Sequence, residues 1–241
     1  MPVRTKEHYW PQWLIRTTNT QKTGVRFTRD KRISPLALTI PMCDSCNSAF
    51  GRELEGPMAA ILNDLESGRG ISDTEAEIFI RWLWKFEGLA WRANHPNDLY
   101  TLKYTVKERV LRAIDDIRQH LTLAVSLTET IEPDFGDSPM GLDSESTDSA
   151  VYVAGVFSRV AVMVLATKFS SSVPKNFSLY KLADINAMDR GAKLFYPAVG
   201  FSNSVEAVGI TRAAALHLSY LHGCESRDHK AALALQSMAR R

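Results

Sequence analysis

The chain has 241 residues, of which 45% are hydrophobic, and its 29 Lys or Arg and 27 Asp or Glu give a formal net charge of +2. This length can form one large domain or two small ones, and the hydrophobic content excludes a wholly disordered chain. The charge is unevenly placed, because residues 1–52 carry nine basic and three acidic residues. A basic segment of this kind suits a polyanion such as nucleic acid, although a solvated surface without a ligand explains it equally well.

Neither the N-terminus nor the apolar segments predict a secretory signal or a membrane span. The first eight residues contain no apolar h-region. The most apolar stretch, Val151–Phe169, is interrupted by Arg159 and Lys168. Three cysteines, two of them close together at Cys43 and Cys46, do not make a disulfide framework. We therefore expect a cytoplasmic protein without a membrane partner.

The first 65 residues are predicted to form a short hairpin followed by a helix. Thr23–Thr28 and Leu36–Ile40 are β-branched and apolar and flank a polar stretch, which is typical of two paired strands. After Cys46, apolar residues recur near every 3.6 positions, which predicts a helix that Gly56-Pro57 would kink or restart. The apolar positions of this helix are Phe50, Leu54, Met58, Ile61, Leu62 and Leu65.

Residues 70–128 are predicted to be helical. Ser72-Asp73-Thr74-Glu75 has the sequence of a capping box, and the helix that it opens has an apolar face continuing to Trp91. A second helix is indicated by apolar residues at i+3 and i+4 spacing between Val106 and Leu121. Three tryptophans of the first helix suit either base stacking or core packing, and we favour packing. They are Trp82, Trp84 and Trp91.

The rest of the chain is predicted to contain an acidic linker and a mainly helical region over residues 150–241. Residues 129–149 contain seven acids and no Lys or Arg, so we interpret them as a linker or surface loop. The same acids could instead imitate a phosphate backbone and occlude the basic N-terminal segment. Helices are predicted over Val151–Phe169, Ser204–Leu221 and Asp228–Ala239, with a short strand near Phe195–Phe201.

Two short motifs indicate the chemistry. The first is Glu7-His8 followed by Pro11, and the second is Cys43-Asp44-Ser45-Cys46-Asn47 at the start of a predicted helix. In this order they resemble the HNH, or ββα-metal, endonuclease family, in its divergent members with E-H-x-x-P and C-x-x-C-N motifs. The resemblance covers roughly residues 5–60. It implies an α+β protein, mostly α, with an N-terminal ββα-metal module over residues 1–65 followed by a helical region.

The resemblance assigns roles to three residues. His8 corresponds to the general base that takes a proton from water, a role that suits an imidazole because it titrates near neutrality. Glu7 and Asn47 correspond to ligands of a catalytic cation, and oxygen donors suit Mg²⁺ or Mn²⁺. The implied activity is hydrolysis of phosphodiester bonds in nucleic acid, with DNA as the expected substrate.

The chain departs from the family's pattern at a second metal site. The family often binds a structural zinc with two Cys-x-x-Cys pairs, whereas this sequence has only the pair Cys43 and Cys46. Structural zinc sites use four ligands. We expect either no zinc, with the hairpin held by packing, or extra ligands from a distant cluster. That cluster is His222, Cys224 and His229.

The residues around the two motifs lack one residue of the family's pattern and include candidate metal ligands and candidate phosphate-binding residues. The family's middle asparagine, which orients the base, would fall near Leu38, so a backbone carbonyl would have to orient His8. Glu53 and Glu55 are candidates for an additional metal ligand, but a position on the helix surface is favoured. The basic residues are expected to bind backbone phosphates without reading sequence. They are Arg26, Arg29, Lys31, Arg32 and Arg52.

Two other functions stay open. A catalytically degenerate HNH module would serve as a nucleic-acid-binding or scaffold subunit. The absence of a second cysteine pair and of the middle asparagine favours this interpretation, whereas the presence of Glu7, His8 and Asn47 favours the enzyme. By analogy with the family, the chain could also be the effector subunit of a bacterial antiphage defence complex. A regulatory protein such as an ATPase would then dock on residues 70–241.

Overall fold

A computed structural model describes residues 5–28, 31–94, 110–111, 114, 117–131, 140–146, 151–184, 191, 193–218 and 220–221, without the side chains of 26–28, 31, 90–94, 140–146 and 151–152. In these ranges the α-helices are α1 (Gln12–Thr17), α2 (Thr20–Thr23), α3 (Asp44–Phe50), α4 (Gly56–Glu66), α5 (Asp73–Asn94) and α6 (204–218), and a π turn at Gly51–Glu55 joins α3 to α4. The strands are β1 (Thr5–His8), β2 (Val25–Thr28), β3 (Lys31–Ile33), β4 (Thr39–Met42), β5 (Ile71–Ser72), β6 (Leu121–Thr130), β7 (Met140–Ser146), β8 (Val151–Phe157), β9 (Val160–Ala166), β10 (Ser178–Lys181), β11 (Leu194–Phe195) and β12 (Val199–Asn203).

A six-stranded sheet packs against α1, α4 and α5 on one face and against α6 on the other. Its order is β10-β6-β9-β8-β7 with antiparallel neighbours, and β12 pairs with β6 in parallel. Successive residues of a strand point to opposite faces. Accordingly, Leu123 and Val125 of β6 pack in the core formed with α1, α4 and α5, whereas Ala124 packs in the core formed with α6. The protein is therefore α+β.

The N-terminal elements share one hydrophobic core with the sheet. The ring of Phe157 in β8 lies 4.9 Å from that of Trp82 and 6.2 Å from that of Trp10, between ring centroids. This continuous core crosses the boundary predicted near residues 65–70. Trp82 and Trp84 are buried, which confirms their predicted packing role, while the side chain of Trp91 lies outside the described part.

The helix predicted after Cys46 and the capping box predicted at Ser72–Glu75 are both confirmed. The predicted hairpin is only partly right, because its two strands exist but do not pair with each other. Residues 44–66 are helical, and Pro57 lies in the first turn of α4, where its missing N–H costs little. The Ser72 hydroxyl accepts from the backbone N–H of Glu75 at 3.3 Å, and the Glu75 carboxylate accepts from that of Ser72 at 2.7 Å. β2 pairs with β3, whereas β4 pairs with β1. Pro35 opens a short 3-10 turn that separates β3 from β4.

Several predicted elements beyond residue 100 are wrong. Val151–Phe169 was expected to be helical, but it contains β8 and β9, joined at Ser158, whose φ is +55°. A continuous apolar run suits a strand buried on both faces as well as a helix, and valine favours the strand. Similarly, Leu121 begins a strand instead of ending a helix.

The linker and the mainly helical C-terminal region are corrected in the same way. Met140–Ser146, within the predicted acidic linker, is β7 and pairs with β8. Backbone pairing at a sheet edge does not require apolar side chains, so the acidic composition misled the prediction. Residues 150–241, predicted to be mainly helical, contribute β8 to β12 to the described structure. The strand near Phe195–Phe201 and the helix from residue 204 are confirmed, and Asp228–Ala239 lies outside the described residues.

Candidate active site

The two sequence motifs lie on neighbouring elements. β1 pairs antiparallel with β4 along its whole length and ends in Glu7 and His8. β4 passes into α3 through a single residue, Cys43, and Asn47 is the fourth residue of α3. Helix α3 also contacts β1. The chain therefore forms an antiparallel strand pair followed directly by a helix, with one motif at the end of the first strand and the other at the start of the helix.

Glu7 belongs to a buried cluster of charges. Its Oε1 contacts Nζ of Lys85, and the same Nζ contacts Oε1 of Glu55. Only 1% of the Lys85 side chain is exposed, against 13% for Glu7 and 14% for Glu55. The Oε2 atom of Glu55 accepts from the indole Nε1 of Trp13 at 2.8 Å and of Trp82 at 3.2 Å. Two carboxylates and one ammonium give the cluster a formal charge of −1.

The two ring nitrogens of His8 have different environments. Nε2 lies 2.9 Å from the side-chain amide nitrogen of Gln12, in an exposed hydrogen bond that a neutral Nε2 accepts. Nδ1 is buried and has no hydrogen-bond partner in the described part of the chain. The carbonyl expected to orient the ring is therefore not found there, and the Leu38 carbonyl accepts from the backbone N–H of Tyr9 at 2.8 Å. Of the two ring nitrogens, Nε2 is the one that lies at the surface.

Glu7 and Asn47 are the oxygen donors that the sequence predicts for a catalytic cation. Among the described residues, no group of three or more His, Cys, Asp or Glu could hold a metal ion. Mg²⁺, however, is usually held by only one or two carboxylates together with water and substrate oxygens. Glu7 has a hydrogen-bond partner in the described structure at Oε1 alone, and Asn47 is half-buried.

Cys43 and Cys46 lie at the start of α3. Cys43 is the N-cap residue, and its Sγ accepts from the backbone N–H of Cys46 at 3.3 Å. Hydrogen bonds from the Cys46 side chain, from the Ser45 hydroxyl and from that N–H lower the pKa of Cys43 to about 7. Two sulfur ligands form half of a structural zinc site. The predicted additional ligands His222, Cys224 and His229 lie outside the described residues, so both outcomes for zinc stay predictions.

The predicted phosphate-binding residues are described in part. Arg32 is exposed, and its guanidinium donates to the carbonyl of Thr23 at 2.9 Å. Arg52 is 72% exposed and pairs with Glu53 at 2.9 Å, which agrees with the surface position favoured for Glu53. Arg29 and the side chains of Arg26 and Lys31 lie outside the part of the chain that the structure describes.

The buried position of Lys85 and its contacts with Glu7 and Glu55 were not predicted from the sequence. Glu55 was expected on the helix surface, and this was wrong, because at the end of the π turn its carboxylate meets Lys85 inside the protein. A signal for Lys85 was present, since it interrupts the apolar face of α5 between Trp82 and Phe86. A buried ammonium requires a carboxylate partner. Only tertiary packing determines which carboxylate becomes that partner.

Comparison of the chain with known protein families, with characterised proteins and with solved structures gave no significant match.

Proposed function

We propose that the protein is a metal-dependent HNH-type endonuclease that hydrolyses phosphodiester bonds of nucleic acid, with DNA as the preferred substrate. The observation that carries the proposal is the strand pair β1–β4 running directly into α3. This arrangement supports a common site for Glu7, His8 and Asn47 because β1 and α3 are in contact. The exposed Arg32 supplies positive charge suited to a phosphate backbone.

In this proposal His8 is the general base. Once released from the Gln12 amide, its Nε2 takes a proton from water, the water oxygen bonds to phosphorus, and the bond from phosphorus to the leaving oxygen breaks. The leaving oxygen then takes a proton from solvent. Glu7 and Asn47 would hold Mg²⁺ or Mn²⁺, which when bound stabilises negative charge on the phosphate. The neighbouring phenol of Tyr9 is a poor alternative base, because burial and the charge of Glu87 raise its pKa above its ordinary range.

The test compares cleavage by the wild type and by His8→Ala with Mg²⁺, with Mn²⁺ and with a chelator. Because a positioned general base contributes roughly 100- to 10,000-fold to a rate, we expect His8→Ala to lose cleavage by such a factor. Its unfolding temperature should stay close to that of the wild type. The matched control is His217→Ala, which removes an exposed histidine of α6. Equal cleavage by His8→Ala and the wild type would show that His8 is not the base.

A second candidate is a non-catalytic nucleic-acid-binding subunit. Two observations favour it: Glu7 already pairs with Lys85, and Nδ1 of His8 has no partner among the described residues. In this case wild type and His8→Ala would bind nucleic acid equally, and neither would cleave DNA or RNA with any of the cations. The same set of assays therefore separates the two functions.

A further inference from the structure

The strongest unexplained feature is the lysine buried beside the proposed cation ligand. Lys85 lies in the middle of α5, with its ammonium 5.6 Å from the ring centroid of Phe50 and in contact with Glu7 and Glu55. Removing an ammonium from water is unfavourable unless carboxylates and hydrogen bonds compensate. One carboxylate would neutralise the charge of Lys85. The second carboxylate leaves an excess negative charge on the cluster.

The two carboxylates of the cluster are used differently. Both oxygens of Glu55 are engaged, Oε1 by Lys85 and Oε2 by the two indole N–H groups of Trp13 and Trp82. Glu55 therefore has little capacity left for a further ligand. Glu7 is engaged at Oε1 only, by Lys85, within the described structure. The excess negative charge therefore lies at Oε2 of Glu7. This oxygen can still bind a cation.

We propose that Lys85 and Glu55 are positioning residues that fix the Glu7 carboxylate for a divalent cation. The indoles of Trp13 and Trp82 hold Glu55, Glu55 and Glu7 hold Lys85, and Lys85 fixes one oxygen of Glu7 while leaving the other for Mg²⁺ or Mn²⁺. This inference rests on the proposed function, because it takes Glu7 to be the cation ligand.

The test measures Mn²⁺ binding to the full-length protein by the electron paramagnetic resonance signal of free Mn²⁺. The main variant, Glu55→Gln combined with Lys85→Met, removes one negative and one positive charge, so the formal charge of the cluster stays −1. Groups that orient metal ligands typically contribute 10- to 100-fold to affinity, and we expect Mn²⁺ binding to weaken by about that factor. Replacing a buried ion pair by neutral side chains is often tolerated by the fold.

The matched control is Arg81→Met. Arg81 lies one turn before Lys85 on α5, is 17% exposed and pairs with Glu77 at 3.7 Å instead of with Glu7 or Glu55. Its substitution should leave Mn²⁺ affinity unchanged. If the double variant does not fold, Lys85→Arg is measured instead, because it keeps the charge but moves the donor atoms. We then expect binding weakened roughly tenfold, since an arginine fork does not reproduce the contacts of an ammonium.

Three outcomes separate this inference from the proposed function. A folded double variant, or a folded Lys85→Arg variant, that binds Mn²⁺ as tightly as the wild type would overturn the positioning role alone. A wild type that binds no Mn²⁺ would overturn the cation site, and the positioning role with it. Weaker Mn²⁺ binding in the variants, together with equal cleavage by His8→Ala and the wild type, would support Lys85 and refute only the general base.

Discussion

At the scale of single residues, the thiol of Cys43 should be unusually reactive near neutral pH. Its pKa is lowered to about 7, first by the hydrogen bond from the Cys46 side chain and then by those from Ser45 and the backbone. The thiolate therefore predominates above about pH 7, and it is the thiolate that reacts with alkylating reagents. We expect the rate of modification of Cys43 by iodoacetamide to rise with pH through a midpoint near 7. Fragment-ion mass spectrometry distinguishes Cys43 from Cys46.

The Cys46→Ala variant is the comparison for this measurement. It removes the first cause of the shift and keeps the backbone N–H that also donates to Cys43. The midpoint should then move up, towards the ordinary range of a cysteine thiol. A midpoint that is the same in wild type and variant would show that the Cys46 side chain does not stabilise the thiolate.

At the scale of elements, the capping box at the start of α5 should stabilise the whole protein measurably. Replacing Ser72 by Ala removes the side-chain oxygen that accepts from the N–H of Glu75. We expect the free energy of unfolding in urea to fall by about 1 kcal/mol. The control is Ser171→Ala, at an exposed position of the 3-10 turn Thr167–Ser172, where a change within about 0.5 kcal/mol is expected. Equal losses in both variants would mean that the cap at Ser72 has no special role.

Elements set by local interactions could be predicted from the sequence, and those set by distant contacts could not. Ser72 and Glu75 satisfy each other's backbone across three residues, so their signal is complete within the motif. The run Val151–Phe169 offers no such signal, because its apolar pattern fits a helix and a strand buried on both faces. Pairing with β6 and β7 makes it two strands.

The candidate site also contains residues that local sequence motifs indicate and one residue that depends on distant contacts. Glu7, His8 and Asn47 could be picked out from the motifs, since these residues are close in sequence to the turns and caps that position them. Lys85 could not be assigned a partner, because it lies 78 residues from Glu7 along the chain and only tertiary packing brings the two together.

At the scale of the whole molecule, the shared core makes the N-terminal elements depend on the sheet. Phe157 of β8 is fully buried against Trp82 and Phe86 of α5, with ring centroids 4.9 Å and 5.7 Å apart. We expect Phe157→Ala to lower the free energy of unfolding by about 3–5 kcal/mol. Because the core is continuous, unfolding should be a single transition, and near-ultraviolet circular dichroism of the tryptophans should change.

The matched substitution on the opposite face of the sheet is Phe177→Ala. Phe177 packs against Phe201 at 5.4 Å in the core formed with α6, away from the tryptophans of α5. Its loss should also destabilise the protein, but it should leave the near-ultraviolet spectrum of the native state unchanged. Two separate unfolding transitions in the wild type would contradict the dependence of the N-terminal elements on the sheet.

The π turn at Gly51–Glu55 also determines which change in length this helical segment should tolerate. A π turn contains one residue more than the α-helix needs. Phe50 before the turn and Met58 after it are both buried in the same core, although they lie eight residues apart. Because successive residues of an α-helix are rotated by about 100°, eight residues of regular helix would separate the two directions by about 80°, whereas seven would separate them by only about 20°. Deletion of one residue of the turn should therefore give a regular helix that keeps both side chains in the core, and an insertion should not.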